Sequence, residues 1–159
     1  MAIDAIYPSL KDKTVLITGG GSGIGEALTR AFIEQSAKVG FLDYDKAASE
    51  MLASELDSPD LHFEYCDLRD IDALQVAVKA VSAKLGPIRI LVNNAARDDR
   101  HSLENVTSDY FDERIATNLK HQLFAAQAVA GPMAAAGGGS IINMGSTSWM
   151  IGQGGMPCY

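Results

Sequence analysis

Five glycines, at positions 19, 20, 21, 23 and 25, follow directly on the apolar run Val15, Leu16, Ile17. A turn of this composition suits an anion. Glycine has no Cβ to hold a phosphate away from the backbone, and the helix that follows opens on unpaired N–H groups at the positive end of its dipole. In a nucleotide-binding βαβ unit one glycine permits the tight turn, one lets the pyrophosphate approach, and one lets helix and strand pack closely. Twenty residues beyond Gly23, the run KVGFLD ends in Asp43. A carboxylate there accepts hydrogen bonds from both adenosine ribose hydroxyls and repels a 2′-phosphate. Positions 20–22 and 44 hold no Arg or Lys, so the pattern predicts NAD rather than NADP. Taken alone, the glycine turn also suits any α/β protein, and Asp43 also suits a turn.

These residues need strands to end at them and helices to start from them. After a loose lead-in over 1–12, the β-branched run from Thr14 to Ile17 predicts a buried strand. The helix after the glycines runs to Gln35, with Ile24, Leu28, Ala31 and Phe32 on one face. Residues 38–43 read as a second strand. Residues 45–56 read as a helix carrying Ala47, Met51, Leu52 and Leu56, broken by Asp57, Ser58 and Pro59. A third strand spans 61–66. Residues 70–85 form a helix with Ile71, Leu74, Val78, Val81 and Leu85 at helical spacing, ended by Gly86-Pro87. A fourth strand spans 88–92 and a loop 93–108. A long helix over 109–136, capped by Thr107 or Ser108, presents Phe111, Ile115, Leu119, Leu123, Ala126 and Val129. A fifth strand spans 140–144, and a Gly-rich loop runs to Tyr159. Strands alternating with helices predict an α/β, Rossmann-like, doubly wound parallel sheet in three layers. The order 3-2-1-4-5 places a crevice at the carboxyl ends of strands 1 and 4.

The 159 residues make one domain, with 47% hydrophobic residues to build its core. A net charge of −7 argues against nucleic acid as partner, since phosphate backbones need a basic surface. No stretch reaches the roughly 20 apolar residues of a membrane span, and no signal peptide is visible. Cys66 and Cys158 form no C-x-x-C pair, and His62, His101 and His121 lack metal-ligand spacing. The expectation is a cytoplasmic protein with reduced thiols, no metal, and no membrane partner.

The glycine spacing is more specific than the general fingerprint. G-x-G-x-x-G counted from Gly19 and Gly21 would need glycine where Ile24 stands, whereas T-G-x-x-x-G-x-G falls on Thr18, Gly19, Gly23 and Gly25. With Asn93-Asn94-Ala95 after the fourth strand, and Ser146 followed 13 positions later by Tyr159, the chain resembles the classical short-chain dehydrogenases/reductases. The resemblance implies a cofactor site of Gly19, Ser22, Gly23, Ile24, Gly25, Asp43, Asp67, Leu68, Asn94, Ala95 and Ala96. In it the Asp67 side chain meets the adenine amino group. Ala96 stands where the family has glycine and narrows the space beside the nicotinamide ribose. The resemblance also implies catalysis by Asn118, Ser146 and Tyr159: Tyr159 as general base, Ser146 hydrogen-bonded to the substrate oxygen, and Asn118 holding a water in a proton relay. A phenol ordinarily ionises near pH 10, and the family lowers this with a lysine four positions past the tyrosine. The sequence stops before that position. The expectation is therefore that residues 1–159 are the NAD-binding region of a longer dehydrogenase, with the substrate region absent and little turnover on their own. Two rivals are a non-catalytic NAD-binding fragment and a methyltransferase. The latter shares the glycine turn and the acid after strand 2 but not the Asn-Asn-Ala or Ser–Tyr pattern.

Arg97 to His101, read RDDRH, and the following ERIATNL resemble bacterial sugar 1-dehydrogenases. A carboxylate bonding two neighbouring hydroxyls suits such a small-molecule substrate. Asp98, Ser148 and Trp149 are the candidate substrate contacts. The resemblance further implies a homo-oligomer, a tetramer in the intact family. It predicts an unpaired outer edge on strand 5 and a partly bare helix surface at Leu119, Leu123, Ala126 and Val129.

Overall fold

The computed structural model describes residues 5–159. Five parallel strands form one sheet in the order β3-β2-β1-β4-β5: β1 Thr14–Thr18, β2 Lys38–Asp43, β3 Leu61–Tyr65, β4 Ile88–Asn93 and β5 Ser140–Asn143. The predicted architecture and strand order are both present. Strand β1 lies at the centre, with Ile17 beside Phe41 of β2 and Val92 of β4. All five of its residues are buried, as expected for a strand covered on both faces.

Alternation along the strands divides the core. Val15, Ile17, Val39, Phe41 and Val92 face one layer, where Leu28 and Phe32 of α1 (Gly23–Glu34) and Leu52 of α2 (Lys46–Leu56) cover them. Leu16, Leu42 and Leu91 face the other layer. There they meet α3 (Ile71–Leu85) and the long C-terminal helix, through Leu74, Val78, Val81, Ala125, Val129 and Met133. The α3 face is the predicted one. Asp45 and Asp70 cap α2 and α3 by accepting from Ala48 and Ala73 N–H, each at 3.0 Å.

Three predicted helix faces are corrected. Ile24 is 66% exposed and Met51 70% exposed; the packing faces are instead Gly25, Leu28, Thr29 and Phe32 in α1, and Ser49, Leu52 and Leu56 in α2. In both cases small or polar residues, Gly25, Thr29 and Ser49, sit closest to the sheet, because the glycine turn passes there. The third correction concerns the long helix. It is continuous over 108–135 but contains a π-helical turn at Ala116–Lys120, between α4 (Ser108–Ile115) and α5 (His121–Ala135). Leu119 and Leu123 point outward, while Arg114, His121, Ala125, Val129 and Met133 point in. Of the helix residues expected to be bare, Leu119 and Leu123 are, Ala126 is half-buried, and Val129 is buried.

Strand β5 ends the sheet beside β4, and Ile141 and Ile142 on it are 39% and 43% exposed. Both cysteines are free thiols. Burial, followed by the negative charges of Asp67, Asp70 and Glu64, pushes the Cys66 thiol up to about 11. No helix among the described residues is long and apolar enough to cross a membrane. Nor do the described residues contain a group of three or more His, Cys, Asp or Glu side chains placed to hold a metal.

Candidate active site

The carboxyl ends of β1, β2, β3 and β4 open onto one cavity of about 510 Å³. Its floor is the turn between β1 and α1. Gly25, in the first turn of α1, lies against the backbone of that loop: a Cβ on it would lie 1.7 Å from the Gly19 carbonyl oxygen, so only glycine permits the approach. Thr29, one turn further on, donates to the Gly20 carbonyl at 3.1 Å and pins the loop from behind. Ser22 is the N-cap of α1 but offers no side-chain hydrogen bond to it. The first N–H groups of α1 therefore lack a protein side-chain cap where Gly23, Ile24 and Gly25 line the cavity. Such an end fits a dinucleotide pyrophosphate.

Asp43 is 6% exposed and also lines the cavity. Its Oδ2 accepts from Gly21 N–H at 2.9 Å and its Oδ1 from Asp45 N–H at 3.0 Å. A carboxylate has about four lone-pair positions, so these two bonds orient it and leave acceptor capacity for ribose hydroxyls. Asp67, Leu68, Asn94, Ala95 and Ala96 line the same cavity. Asn94 is structural as well. Its Nδ2 donates to the Thr18 and Gly19 carbonyls, both at 3.1 Å, and this joins the ends of β1 and β4. Asn93 makes the equivalent link between β4 and β5, its Nδ2 donating to Asn143 Oδ1 at 2.8 Å.

The Asp67 carboxylate is already engaged. Arg69 Nε and Nη2 donate to it at 2.9 and 2.6 Å, and Arg69 N–H adds a third bond at 3.0 Å. The Arg69 hydrogen bond holds the Asp67 carboxyl below its usual range, against a smaller opposing effect of burial. An adenine amino group would share this carboxylate with Arg69.

Sequence reasoning missed Tyr44, Cys66, Arg69, Glu113 and Thr117 as cavity residues. Tyr44 directly follows Asp43. Glu113 and Thr117 are four apart on the long helix, Thr117 directly before Asn118, and the Thr117 hydroxyl donates to Glu113 Oε1 at 3.1 Å; nothing in the sequence marked either for the cavity. Arg69 is not at positions 20–22 or 44, where a cation beside the ribose is expected, because it reaches the cavity from beyond β3. Glu113 stands between cations, 3.5 Å from Arg69, 3.4 Å from Arg97 and 3.2 Å from Arg114.

Of the three catalytic candidates, Tyr159 lines the cavity, whereas Asn118 and Ser146 do not. Asn118 lies in the π-helical turn. Its Oδ1 accepts from Arg97 N–H at 2.8 Å and its Nδ2 donates to the Arg97 carbonyl at 3.1 Å, so it grips the loop after β4 as a neighbouring strand would. Ser146 donates to Ser148 Oγ at 2.7 Å and accepts from Ser148 N–H at 3.1 Å. Among the substrate candidates, Asp98 lines the cavity with Tyr159 and makes no ion pair among the described residues. Trp149 is 78% exposed and lies outside the cavity lining.

Comparison with known proteins agrees with this geometry. Residues 13–159 match the family model described as short chain dehydrogenase. The chain is 51% identical to D-xylose 1-dehydrogenase of Caulobacter vibrioides over 150 residues, covering 93% of this chain and 59% of that protein. It is 45% identical to the probable galactose dehydrogenase GalD of Rhizobium meliloti over 158 residues, covering 96% of this chain and 61% of that protein. The crystal structure of gox2181 superposes with a TM-score of 0.83 at 27% identity, covering 89% of this chain and 56% of that one. The chain thus spans about 60% of the length of the curated relatives it matches. Fold, glycine turn and family match agree: this chain belongs to the short-chain dehydrogenase family.

Proposed function

We propose that the protein carrying this chain is an NAD-dependent dehydrogenase that oxidises an aldose at C1 to the lactone, with residues 1–159 as its cofactor-binding domain. The observation that carries the reading is that Gly23, Asp43, Asp98 and Tyr159 all line one cavity. The names of the relatives, D-xylose 1-dehydrogenase and galactose dehydrogenase, support a sugar as substrate. The fit to the cofactor rests on the uncapped start of α1 and the oriented Asp43 carboxylate described above. Asp43 would hold the ribose and disfavour a 2′-phosphate. Arg69, which lines the same cavity as Asp43, is paired with Asp67.

When bound, the nicotinamide supplies the hydride acceptor. The rest belongs to the chain. Tyr159 takes the proton from the C1 hydroxyl as the C1–H bond breaks and its electron pair leaves with the hydrogen, so the sugar loses one hydride and one proton. Ser146, whose proton goes to Ser148 Oγ in this structure, would turn to donate it to the oxygen that becomes the lactone carbonyl. Asn118 fixes Arg97, and the free lone pair on its Oδ1 is the place for a relay water. Asp98 accepts hydrogen bonds from neighbouring sugar hydroxyls. The outward Leu119 and Leu123 suit a homo-oligomeric contact, and we place the protein in the cytoplasm.

The test is reduction of NAD followed by absorbance with D-xylose, D-galactose and a non-sugar secondary alcohol. Activity with the aldoses, its loss in Tyr159→Phe and a raised KM in Asp98→Asn are expected. Activity restricted to the non-sugar alcohol, or full activity in Tyr159→Phe, would overturn the reading.

A further inference from the structure

The charged loop after β4 does more than face a substrate. Three of its groups fasten the segment that ends at Tyr159. Arg100 Nη1 donates to the Gly154 carbonyl at 3.1 Å, and His101 N–H donates to the Gly155 carbonyl at 2.9 Å. Cys158 N–H, immediately before Tyr159, points at His101 Nε2 across 3.1 Å.

The other side of the imidazole is fixed by α4. His101 Nδ1 lies 2.8 Å from the Asp99 carbonyl and 3.0 Å from the Tyr110 hydroxyl. That hydroxyl donates its proton to Asp99 Oδ2 at 3.0 Å, and its oxygen is left as an acceptor. Asp99 Oδ1 sits 2.9 Å from Nη1 of Arg114, a side chain only 3% exposed. The Arg114 guanidinium in turn covers the Tyr110 ring at 4.7 Å. A buried cation on the helix thus anchors the chain Asp99, Tyr110, His101.

Counting protons assigns the tautomer. An amide N–H has only a proton to give, so Nε2 must present a lone pair to Cys158. A carbonyl only accepts, so Nδ1 must carry the hydrogen that faces Asp99. The neutral Nδ1–H form satisfies both contacts. An imidazolium would set N–H against N–H at Cys158. The charged and titratable groups around the ring are Asp99 and Arg100 from its own loop, Tyr110 and Arg114 from α4, and Cys158 from the closing segment.

We propose that His101 is a positioning residue for Tyr159: its neutral imidazole, oriented by Asp99 and Tyr110, holds the Cys158 N–H and sets the phenol at the cavity. The proposal rests on the reading of Tyr159 as the base. It makes the RDDRH loop a clamp on the catalytic segment, with Asp98 left over for substrate.

Two measurements test it in the protein carrying this chain. ¹⁵N NMR of the unaltered protein should show His101 as the Nδ1–H tautomer near neutral pH. The Nε2–H tautomer, or a charged ring there, would overturn the proposal without any mutation. His101→Phe keeps a ring and removes the acceptor, and His101→Gln returns an acceptor oxygen near the Nε2 position. We expect His101→Phe to lower kcat about tenfold to a hundredfold, the scale of a misplaced catalytic group, with the dissociation constant for NAD unchanged. His101→Gln should recover most of that loss. Equal losses in both variants, or a matching loss of NAD affinity, would reduce His101 to a general structural role. The Tyr159 ring resonances separate the two readings. If the unaltered protein oxidises no aldose, the proposed function fails. If His101→Phe leaves those resonances unmoved, the clamp fails.

Discussion

The buried ring of His121 meets the hydroxyl of Thr18 at 3.4 Å, joining residues 103 apart in sequence. Thr18 Oγ1 already accepts from Asn94 N–H at 3.0 Å and Ala95 N–H at 3.1 Å. Its two lone pairs are used, so its proton points to His121 Nε2, and the imidazole is held neutral. The first turn of the cofactor site and the long helix are coupled through this pair.

Burial holds the His121 imidazole below the ordinary histidine range, with the Thr117 backbone pulling weakly the other way. The unfolded chain therefore takes up a proton at this site at a pH where the folded one does not. Stability is full above the ordinary histidine value of about 6.5 and falls as pH drops through it. The slope is at most about 1.4 kcal/mol per pH unit from this residue, until the folded-state value is reached. Urea unfolding between pH 8 and 5 checks this. The loss on acidification should be smaller in His121→Gln than in the unaltered protein, and equal slopes would refute it.

Two glycines in the first turn should fail in different ways. Gly25→Ala puts a methyl group into the Gly19 carbonyl. Because backbone must move, it should cost at least the ~1–3 kcal/mol of an overpacked core and remove NAD affinity. Gly23→Ala meets no atom within 4 Å but must hold φ +56°. It should cost about 1–2 kcal/mol through backbone strain alone. Chemical denaturation with calorimetric NAD titration separates the two.

Asp43→Asn keeps the shape and one acceptor oxygen but removes the charge. Charge-assisted hydrogen bonds contribute roughly 1.5–3 kcal/mol, so NAD should bind at least tenfold more weakly while NADP changes little or improves. Isothermal titration with both nucleotides measures this. A parallel loss for the two would show that Asp43 serves the turn and not the choice of cofactor.

Arg69→Ala should return the Asp67 carboxyl toward its ordinary range, because the Arg69 hydrogen bond is the main cause of its lowered value. Carboxyl ¹³C shifts followed against pH would show the titration moving upward. No movement would mean that the backbone alone holds Asp67.

The strands and α3 were legible because apolar runs and helical apolar spacing mark them without help from distant residues, and the strand order followed from the alternation of strands with helices. The extent of the long helix was legible too, but its inward face was not, because Leu119 and Leu123 carry the apolar signal of core residues and yet face outward. Arg114 had no apolar signal, and its burial depends on Asp99, Glu113 and the ring of Tyr110. Of the site, the glycine turn and Asp43 were visible in residue type and spacing. Glu113 and Arg69 were not, since their place at the cavity comes from charges brought together only by the folded sheet.

The wide turn at Ala116–Lys120 also makes the helix unequal in its tolerance of length change. Each residue of an α-helix turns the chain by about 100°, so removing one from the body of α5 would swing His121 or Val129 off the sheet. Removing Ala116 or Leu119 instead takes the residue from the wide turn, where the i→i+5 spacing can shorten to i→i+4 with the helix on either side left in place. The scaffold would survive and the grip of Asn118 on Arg97 would go. A scan of single-residue deletions along 108–135 should thus find one short window where the fold persists and the loop after β4 comes loose.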